Sequence, residues 1–374
     1  MYIKGTGMTR FSFEERSTHD MVLEASYEAL QDSNMTMNDM DAVVVSTVDT
    51  RVNDERQRHY PAVLASLLKK NIPIIRVPAV CGGGGAALWT AQRLGYDNVL
   101  VLGVDKIASS TTMTITKEIM NANDNVWEQQ EGIIFPCQNA LIAQQHMIKY
   151  GTTADDLALI SLKNHSNAYH NPKAPFYKKE VTLEKIKNSY VVASPFRLFD
   201  CTISVSGAAA CIISSDKSDI SIEGSGLAVD YLPPFEREDM TTFTATLEAA
   251  KTAYKKADIS PSDINVVEVH DAFTILELIA YEDLGFCKKG EGAKLIRDGT
   301  VSIDGKLPVN TRGGLKARGH PISPTGLAQI YDLVLQLRGE AGDLQVKNHK
   351  YGIAQNIGGA GGTISVHILK HVGG

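Results

Sequence analysis

The chain has 374 residues, which is long for one core and fits two domains or one duplicated unit. Hydrophobic residues make up 43% and charged residues 21%, the net charge is −6, and no Lys/Arg run stands out, so nucleic-acid binding gets no support. The sequence has no apolar run of transmembrane length and no signal-peptide pattern, and its five cysteines form no Cys-x-x-Cys pair. We therefore expect a cytoplasmic protein with neither a metal site nor a disulfide framework.

The first third of the chain alternates helix patterns with short Val- and Ile-rich runs, which indicates an α/β fold. Within residues 30–47 a helix pattern ends, Thr36 is followed three residues later by Asp39, and a strand comes next. The Thr36–Asp39 spacing predicts a capping box with Asp in place of Glu. A further strand is predicted over residues 99–103.

Between these two strands, residues 77–94 join a short apolar run to an amphipathic helix pattern through Cys81 and four consecutive glycines. The pattern predicts a strand, a tight turn and a helix start, with the thiol at the junction. Free N–H groups and the positive end of the helix dipole favour a thiolate there, and a thiolate attacks acyl groups. From this segment alone, Cys81 is either a nucleophile or a buried structural cysteine.

Residues 107–205 form an insertion that is too long for a connecting loop. Beyond it, the order of signals from the first third recurs. Ser260 and Asp263 repeat the capping-box spacing, residues 318–337 repeat the turn into a helix, and residues 351–355 repeat the later strand. The repeat predicts two copies of one α/β unit, packed face to face around a pseudo-twofold axis. The expected division is an N-terminal half over 1–106 with 206–223, an inserted loop domain over 107–205, and a C-terminal half over 224–374.

Three polar side chains in the second half stand where a strand or helix pattern ends. His270 closes a Val-rich run, His320 lies in a Gly-His-Pro segment before a helix, and Asn356 precedes a glycine-rich turn. Because ligands of doubly wound sheets bind beyond the carboxyl ends of strands, these groups can converge on Cys81. Histidines there can move protons, and N–H groups of a glycine turn can stabilise an oxyanion. A structural role stays open for each. The remaining cysteines are interpreted as structural: Cys137, Cys201, Cys211 and Cys287.

Several long segments resemble the thiolase superfamily, especially the archaeal acetoacetyl-CoA thiolases related to the sterol-carrier-protein-linked enzymes. They are His-Asp-Ala-Phe at 270–273, Gly-Gly-Leu-Lys-Ala-Arg-Gly-His-Pro-Ile-Ser-Pro-Thr-Gly-Leu-Ala-Gln at 313–329, Gln-Leu-Arg-Gly-Glu-Ala-Gly at 336–342, and two loop-domain stretches at 146–151 and 164–172. The resemblance covers nearly the whole chain. It implies a five-layered αβαβα fold and a CoA thioester substrate.

The resemblance also implies roles for individual residues. Cys81 corresponds to the nucleophile that holds an acetyl group, and His320 to the base that activates it and donates to the thioester oxygen. His270 stands where many thiolases have an Asn that orients a water in that oxyanion hole. The N–H groups of Cys81 and Gly358 correspond to a second oxyanion hole.

The chain departs from the family at its second cysteine. Many thiolases have this cysteine in a Cys-x-Gly motif, where this chain has Asn356, and the sterol-carrier-linked group has it where this chain has Ala272. We hypothesise that His270 or His320 takes over transfer of the α-proton, with Asn356 as a possible replacement for the missing cysteine.

The expected function is that of an acetyl-CoA C-acetyltransferase, with coenzyme A as a substrate, no other cofactor and no metal. One alternative is a ketoacyl-synthase-like condensing enzyme with a Cys81–His320–Asn356 set, and another is a non-catalytic acyl-CoA-binding scaffold. The resemblance further implies a homodimer or homotetramer and a complex with hydroxymethylglutaryl-CoA synthase through a zinc-ribbon protein. No nucleic-acid or membrane partner is expected.

Overall fold

The computed structural model describes residues 1–13, 16–108 and 111–373. Within these ranges the chain forms strands and helices in alternation. The strands are β1 (Tyr2–Met8), β2 (Ala42–Ser46), β3 (Ile74–Arg76), β4 (Asn98–Asp105), β5 (Val191–Ala193), β6 (Phe196–Arg197), β7 (Gly207–Ser214), β8 (Ile220–Val229), β9 (Val266–Glu268), β10 (Tyr351–Gly358) and β11 (Thr363–His371). The helices are α1 (Thr18–Asp32), α2 (Tyr60–Leu68), α3 (Gly83–Ala91), α4 (Thr112–Met120), α5 (Phe135–Tyr150), α6 (Ala154–Tyr169), α7 (Leu183–Lys187), α8 (Thr244–Ala257), α9 (Thr274–Asp283), α10 (Gly292–Arg297), α11 (Gly314–Arg318) and α12 (Thr325–Arg338).

Nine of the strands pair in the order β3-β2-β4-β7-β1-β8-β11-β10-β9, and β5 pairs with β6 separately. The order contains two equivalent sets, β2-β4-β7-β1 and β9-β10-β11-β8. In each set the first pair is parallel and the next two are antiparallel. The sets meet through the short β1–β8 pairing. This shared order and direction confirm the predicted internal repeat.

Helices α3 and α12 lie between the two strand sets, where they share one apolar core with the inward-facing side chains of both sets. Helices α1 and α2 cover the outer face of the first set, and α8 and α9 cover the outer face of the second. The resulting order is helix, sheet, helix, sheet, helix, which confirms the predicted αβαβα layers.

Strand β2 is apolar on both faces because it lies in the middle of these layers. Val44 packs into the central core, whereas Val43 and Val45 pack into the outer core beneath α1 and α2. This alternation follows from the two-residue period of a strand. It also explains why the sequence shows a continuous Val run instead of alternating polar and apolar residues.

Both predicted capping boxes are present, at equivalent places before β2 and β9. The Asp39 carboxylate accepts a hydrogen bond from the Thr36 N–H at 2.7 Å, and the Asp263 carboxylate accepts one from the Ser260 N–H at 2.8 Å. Each box closes a 3₁₀ turn immediately before its strand. The two halves therefore enter their equivalent strands with the same backbone geometry.

The prediction that a strand runs up to Cys81 is wrong. Strand β3 ends at Arg76, and the last ladder bond joins the Val77 N–H to the Val45 carbonyl oxygen. Pro78 has no N–H and cannot continue the ladder. Cys81 lies instead in a 3₁₀ turn, Val80–Gly82, that leads directly into α3.

The segment between β4 and β7 contains α4 to α7 and the small β5–β6 pair. Helices α5 and α6 pack on α9, which places this segment against the second strand set. None of the helices in the described part of the chain combines the length and apolarity needed to cross a bilayer.

Candidate active site

The backbone around Cys81 is held in an uncommon conformation. Val80 has a φ of +48°, in the left-handed region that a β-branched residue rarely adopts. Gly82 follows the cysteine, and a Cβ built there would lie 2.9 Å from the backbone nitrogen of Gly358. Glycine is therefore required where the two halves touch. The strained residue and the close contact together fix the direction in which the thiol points.

The thiol opens into a cavity of about 210 Å³. The cavity brings together three of the residues predicted from the sequence, namely Cys81, His270 and His320. The other lining residues come mainly from α4, α5, α9 and the segment before β7: Thr112, Thr116, Ile119, Phe135, Pro136, Asn139, Cys201, Thr202, Ser204, Ala272, Phe273, Leu276 and Gly359. Most of the wall is apolar, and Cys81, His270 and His320 are its ionisable groups other than Cys201.

Cys81 is only 7% exposed, and burial raises the pKa of its thiol to about 12. The backbone N–H groups of Gly359 and of Cys81 itself lower the pKa of the thiol and favour the thiolate, but they do not offset the loss of solvent. The charge of nearby Asp105 raises the thiol pKa further. The N–H groups thus favour the thiolate, as the sequence predicts, but desolvation outweighs them and the resting group is a thiol.

His320 is positioned by hydrogen bonds on both its backbone and its ring. Its N–H donates to the Ile203 carbonyl oxygen at 3.0 Å, and its Nδ1 lies 2.8 Å from the Thr325 hydroxyl oxygen. This leaves Nε2 as the ring nitrogen free to act on a ligand. Burial lowers the His320 pKa to about 3, and the charge of Arg318 lowers it further. The ring is therefore neutral at physiological pH and has a lone pair to accept a proton.

His270 packs edge-on against His320, with ring centroids 5.2 Å apart and an interplanar angle of 89°. Its backbone N–H donates to Oε1 of Gln355 at 3.2 Å, and its Nδ1 lies 3.2 Å from Nδ2 of Asn356. Burial, and next the repulsion that a protonated His320 would exert, lower the His270 pKa well below its ordinary value. Both histidines are thus neutral and face the same space.

Asn356 lies behind the cavity wall, where its amide joins both halves of the molecule. Its Oδ1 accepts a hydrogen bond from the Gly85 N–H at 3.2 Å, and its Nδ2 donates to the Cys81 carbonyl oxygen at 3.0 Å. With the contact to His270, Asn356 bridges the turn that holds the thiol and one of the two histidines.

The glycine turn after β10 contributes Gly359 to the cavity. Gly358, the residue predicted for the second oxyanion hole, is the last residue of β10 and pairs with Thr363. A Cβ on Gly358 would lie 2.4 Å from the Ala79 carbonyl oxygen, so this glycine permits the close contact with the Cys81 turn. Within this turn, the backbone N–H that favours the Cys81 thiolate belongs to Gly359.

Two residues near the site were not predicted from the sequence. Asp105 is buried at the end of β4 and accepts hydrogen bonds from Thr47, Val48 and Ser323. Its position at a strand end was a usable signal. Cys201, interpreted as structural, lines the cavity and forms an isolated β-bridge with Phe273. Nothing in its local sequence indicates this, because the bridge joins segments about seventy residues apart.

Two family profiles match the chain. "Thiolase, N-terminal domain" matches residues 2–194, and "Thiolase C-terminal domain-like" matches residues 226–371. The chain belongs to the thiolase family. This makes it an acyltransferase, and the cavity around Cys81 its candidate active site.

This thiolase has similar relatives among characterised proteins. It is 42% identical to an acetyl-CoA acetyltransferase of Methanothermobacter thermautotrophicus, over 98% of each chain. It is 38% identical to an acetyl-CoA acetyltransferase of Methanocaldococcus jannaschii, again over 98% of each chain. Sterol carrier protein 2 of Bos taurus is 32% identical over 99% of this chain and 72% of its own length.

Solved structures agree with the fold. The Ltp2–ChsH2(DUF35) aldolase superposes with a TM-score of 0.84 at 25% identity, covering 99% of this thiolase and 97% of that chain. A monomeric SCP2-thiolase-like protein from Mycobacterium smegmatis superposes with a TM-score of 0.72 at 16% identity, covering 100% of this thiolase and 77% of that chain. The second likeness supports the fold alone.

Proposed function

We propose that this thiolase is an acetyl-CoA C-acetyltransferase that interconverts acetoacetyl-CoA plus CoA with two acetyl-CoA through an acetyl-Cys81 intermediate. The single observation that supports this most strongly is the meeting of Cys81, His320 and His270 in one small cavity. The names of the two archaeal relatives agree with it.

In the thiolysis direction, the Cys81 sulphur attacks the C3 carbonyl of acetoacetyl-CoA while His320 takes the thiol proton. The carbonyl oxygen becomes an oxyanion, and the N–H groups of Cys81 and of the 358–359 turn are its donors. When the C2–C3 bond breaks, the electron pair moves to the enolate of acetyl-CoA. The imidazolium then protonates C2, which releases acetyl-CoA and leaves acetyl-Cys81.

In the second half-reaction, the thiol of CoA replaces the first product. His320 takes its proton, the CoA sulphur attacks acetyl-Cys81, and the tetrahedral intermediate expels the Cys81 sulphur. The proton returns to Cys81, and a second acetyl-CoA leaves. The reverse sequence is a Claisen condensation, in which the α-carbon of acetyl-CoA loses its proton.

The pKa values of Cys81 and His320 favour a mechanism in which the thiol proton moves to His320 as the sulphur attacks. The Cys81 pKa is raised to about 12 and the His320 pKa is lowered to about 3, so the resting pair is thiol and imidazole. Oxyanion donors stabilise the charge only once it forms. The loss of one such donor typically costs about 3 kcal/mol of barrier.

The proposal is tested by incubating the purified protein with acetoacetyl-CoA and CoA and following loss of the magnesium-enolate absorbance. We expect turnover by the wild type and none by Cys81→Ala, with the fold checked by circular dichroism. Mass spectrometry should find an acetyl group on Cys81 after incubation with acetyl-CoA. Wild-type protein that neither turns over nor becomes acetylated contradicts the proposal.

The two alternatives receive less support. A ketoacyl-synthase-like set needs Asn356 to contact the substrate, but both N–H groups of its amide already have partners, the Cys81 carbonyl oxygen and His270. A non-catalytic scaffold has no need of a thiol and two neutral histidines around one cavity. A Cys81 that stays unacetylated in protein that has bound acetyl-CoA would favour the scaffold.

We also propose that the protein forms a homodimer or homotetramer and associates with hydroxymethylglutaryl-CoA synthase through a zinc-ribbon protein. The resemblance to the archaeal enzymes supports both proposals. The likeness to the Ltp2–ChsH2(DUF35) aldolase, whose name joins two proteins, supports the complex alone. Size-exclusion chromatography with light scattering tests the oligomer, and co-purification of the co-expressed proteins tests the complex.

A further inference from the structure

The sheet register places Asn356 beside His270. Strands β9 and β10 run parallel, and their last pair joins Glu268 to Ala354. Two residues beyond this pair in each segment, His270 and Asn356 lie side by side. Their ring and amide nitrogens lie 3.2 Å apart, in a contact whose donor depends on the histidine tautomer. The orientation of the amide decides which nitrogen donates.

Two backbone groups fix that orientation. The Gly85 N–H can only donate, so the amide atom that it faces must be the oxygen, Oδ1. The Cys81 carbonyl oxygen can only accept, so the atom that it faces must be the nitrogen, Nδ2. Turning the amide over would place Nδ2 against the Gly85 N–H, so that two donors meet, and Oδ1 against the Cys81 carbonyl oxygen, so that two acceptors meet. The group that faces His270 is therefore an N–H donor.

A ring nitrogen that accepts a hydrogen bond cannot also hold a proton. Nδ1 of His270 is therefore the unprotonated nitrogen of the neutral ring, and Nε2 holds the hydrogen. We propose that Asn356 is a positioning residue that keeps His270 in the Nε2–H tautomer, which makes His270 a hydrogen-bond donor to a substrate oxygen and excludes it as the base. The proposal rests on the proposed function, because it concerns the same cavity.

Of the two histidines first considered for transfer of the α-proton, only His320 then remains as the base. One base is enough for the proton balance of the reaction. The proton that His320 takes from the Cys81 thiol is the one that it delivers to the enolate carbon, and the proton that it takes from CoA returns to Cys81. Asn356 thus stands at the position of the family's second cysteine without moving a proton itself.

The tautomer can be read directly by nuclear magnetic resonance. Protein labelled with ¹⁵N in its histidine rings gives two-bond correlations that distinguish a protonated from an unprotonated ring nitrogen, and His270→Gln assigns the His270 signals. At neutral pH we expect Nε2 of His270 to hold the proton and Nδ1 to hold none. A wild-type ring protonated on Nδ1 overturns the proposal.

Asn356→Asp reverses the hydrogen bond to His270 with little change of shape, and it also places an acceptor against the Cys81 carbonyl oxygen. A carboxylate can only accept, so we expect the proton of His270 to move to Nδ1. The spectrum also tells whether the ring is neutral or doubly protonated, and kinetics are compared at a pH at which it is neutral. There we expect kcat/KM for acetoacetyl-CoA thiolysis to fall by about 100-fold, as for loss of an oxyanion donor. If His270 were the base, the unprotonated Nε2 in this variant could accept a proton, and kcat/KM would stay unchanged or increase.

Ser365→Ala is the matched control. Ser365 lies directly opposite Asn356 on β11, and its hydroxyl has no partner among the described residues. We expect this variant to keep the wild-type tautomer and a wild-type kcat/KM within about twofold. Asn356→Ala serves if Asn356→Asp fails to fold. Without the donor, we expect the His270 signals to report a mixture of both tautomers.

The result can be separated from a failure of the proposed function. A wild-type protein that does not act on acetoacetyl-CoA refutes the function, whatever tautomer the spectrum shows. An active wild-type protein whose tautomer is unchanged by both Asn356 variants, or whose kcat/KM is unchanged despite a switched tautomer, refutes the role of Asn356.

Discussion

Asp105 and Ser323 are 218 positions apart in the chain, yet the Ser323 N–H donates a hydrogen bond of 2.9 Å to the Asp105 carboxylate. The same carboxylate accepts from the Thr47 hydroxyl at 2.9 Å and the Val48 N–H at 2.8 Å. It therefore joins the ends of two strands in the first half to the loop that follows His320. The junction therefore ties the loop next to the base to the first half of the molecule.

We expect Asp105→Ala to lower the free energy of unfolding by about 3 kcal/mol, because it leaves buried donors without an acceptor. Asp105→Asn, which retains one acceptor oxygen, should cost less. Urea denaturation at pH 7 measures both. A loss below about 0.5 kcal/mol for Asp105→Ala would show that water replaces the carboxylate.

The pH dependence of stability should also change in Asp105→Asn. Burial raises the pKa of Asp105 from 3.8 to about 6. Between these values the folded state holds a proton that the unfolded state has released, so the contribution of Asp105 to stability falls as pH rises from about 4 to about 6. The full difference corresponds to roughly 3 kcal/mol. We expect the wild type to lose about this much relative to Asp105→Asn between about pH 3 and pH 7, and parallel curves would contradict it.

Alkylation of Cys81 by iodoacetamide should accelerate steadily with pH. With the thiol pKa raised to about 12, the thiolate fraction grows about tenfold per pH unit between pH 7 and 9. Mass spectrometry of the Cys81 peptide separates this reaction from labelling of the exposed Cys137. A plateau below pH 8 would mean that a resting thiolate exists.

Gly358→Ala should lower kcat/KM by at least 100-fold. Its Cβ would meet the Ala79 carbonyl oxygen at 2.4 Å, so the turn after β10 must move away from Cys81. Gly362→Ala in the same turn is the control, because its Cβ would meet only the flexible end of Leu232, at 3.0 Å, and the Gly358 carbonyl oxygen, at an ordinary 3.8 Å. We expect it to retain activity within a few-fold. Equal losses in both variants would argue for a general effect on the turn.

The preference of the enzyme for acyl chain length should depend on Leu276, an apolar residue of the cavity wall. We expect Leu276→Ala to raise kcat/KM for 3-ketohexanoyl-CoA relative to acetoacetyl-CoA by about tenfold or more, since each methylene in an apolar pocket is worth about 1–3 kcal/mol. Leu278→Ala is the matched control, because Leu278 lies on the same helix but is buried in the core behind it. An equal shift of the ratio in both variants would exclude a specific effect of the wall.

Local patterns in the sequence predicted the duplicated α/β unit and three residues of the cavity, whereas the five layers were implied by the resemblance to thiolases. Strand and helix signals recur in the same order in both halves, and the Thr36–Asp39 and Ser260–Asp263 boxes match in detail. Local patterns of this kind depend on short-range chemistry. For the same reason the Gly-His-Pro segment of His320 was recognisable without a structure.

What the sequence did not predict depends on contacts between distant segments. The pKa of Cys81 follows from burial by the opposite half, which no local pattern reports. Cys201 reaches the cavity only because its segment pairs with Phe273. The amide of Asn356 finds its partners at Gly85 and Cys81, more than 270 positions away.

The equivalence of the two halves shows how the site is assembled. The turn before α3 supplies the thiol, and the turn before α12, at the matching place in the second half, supplies His320. The matching positions for His270 and Asn356 are Ser46 and Gly103, which are also paired across parallel strands. Equivalent positions of the two halves therefore hold different side chains, and the reactive groups at these strand ends belong to the second half alone. The repeat duplicates the framework of turns and strand ends without duplicating the chemistry that they carry.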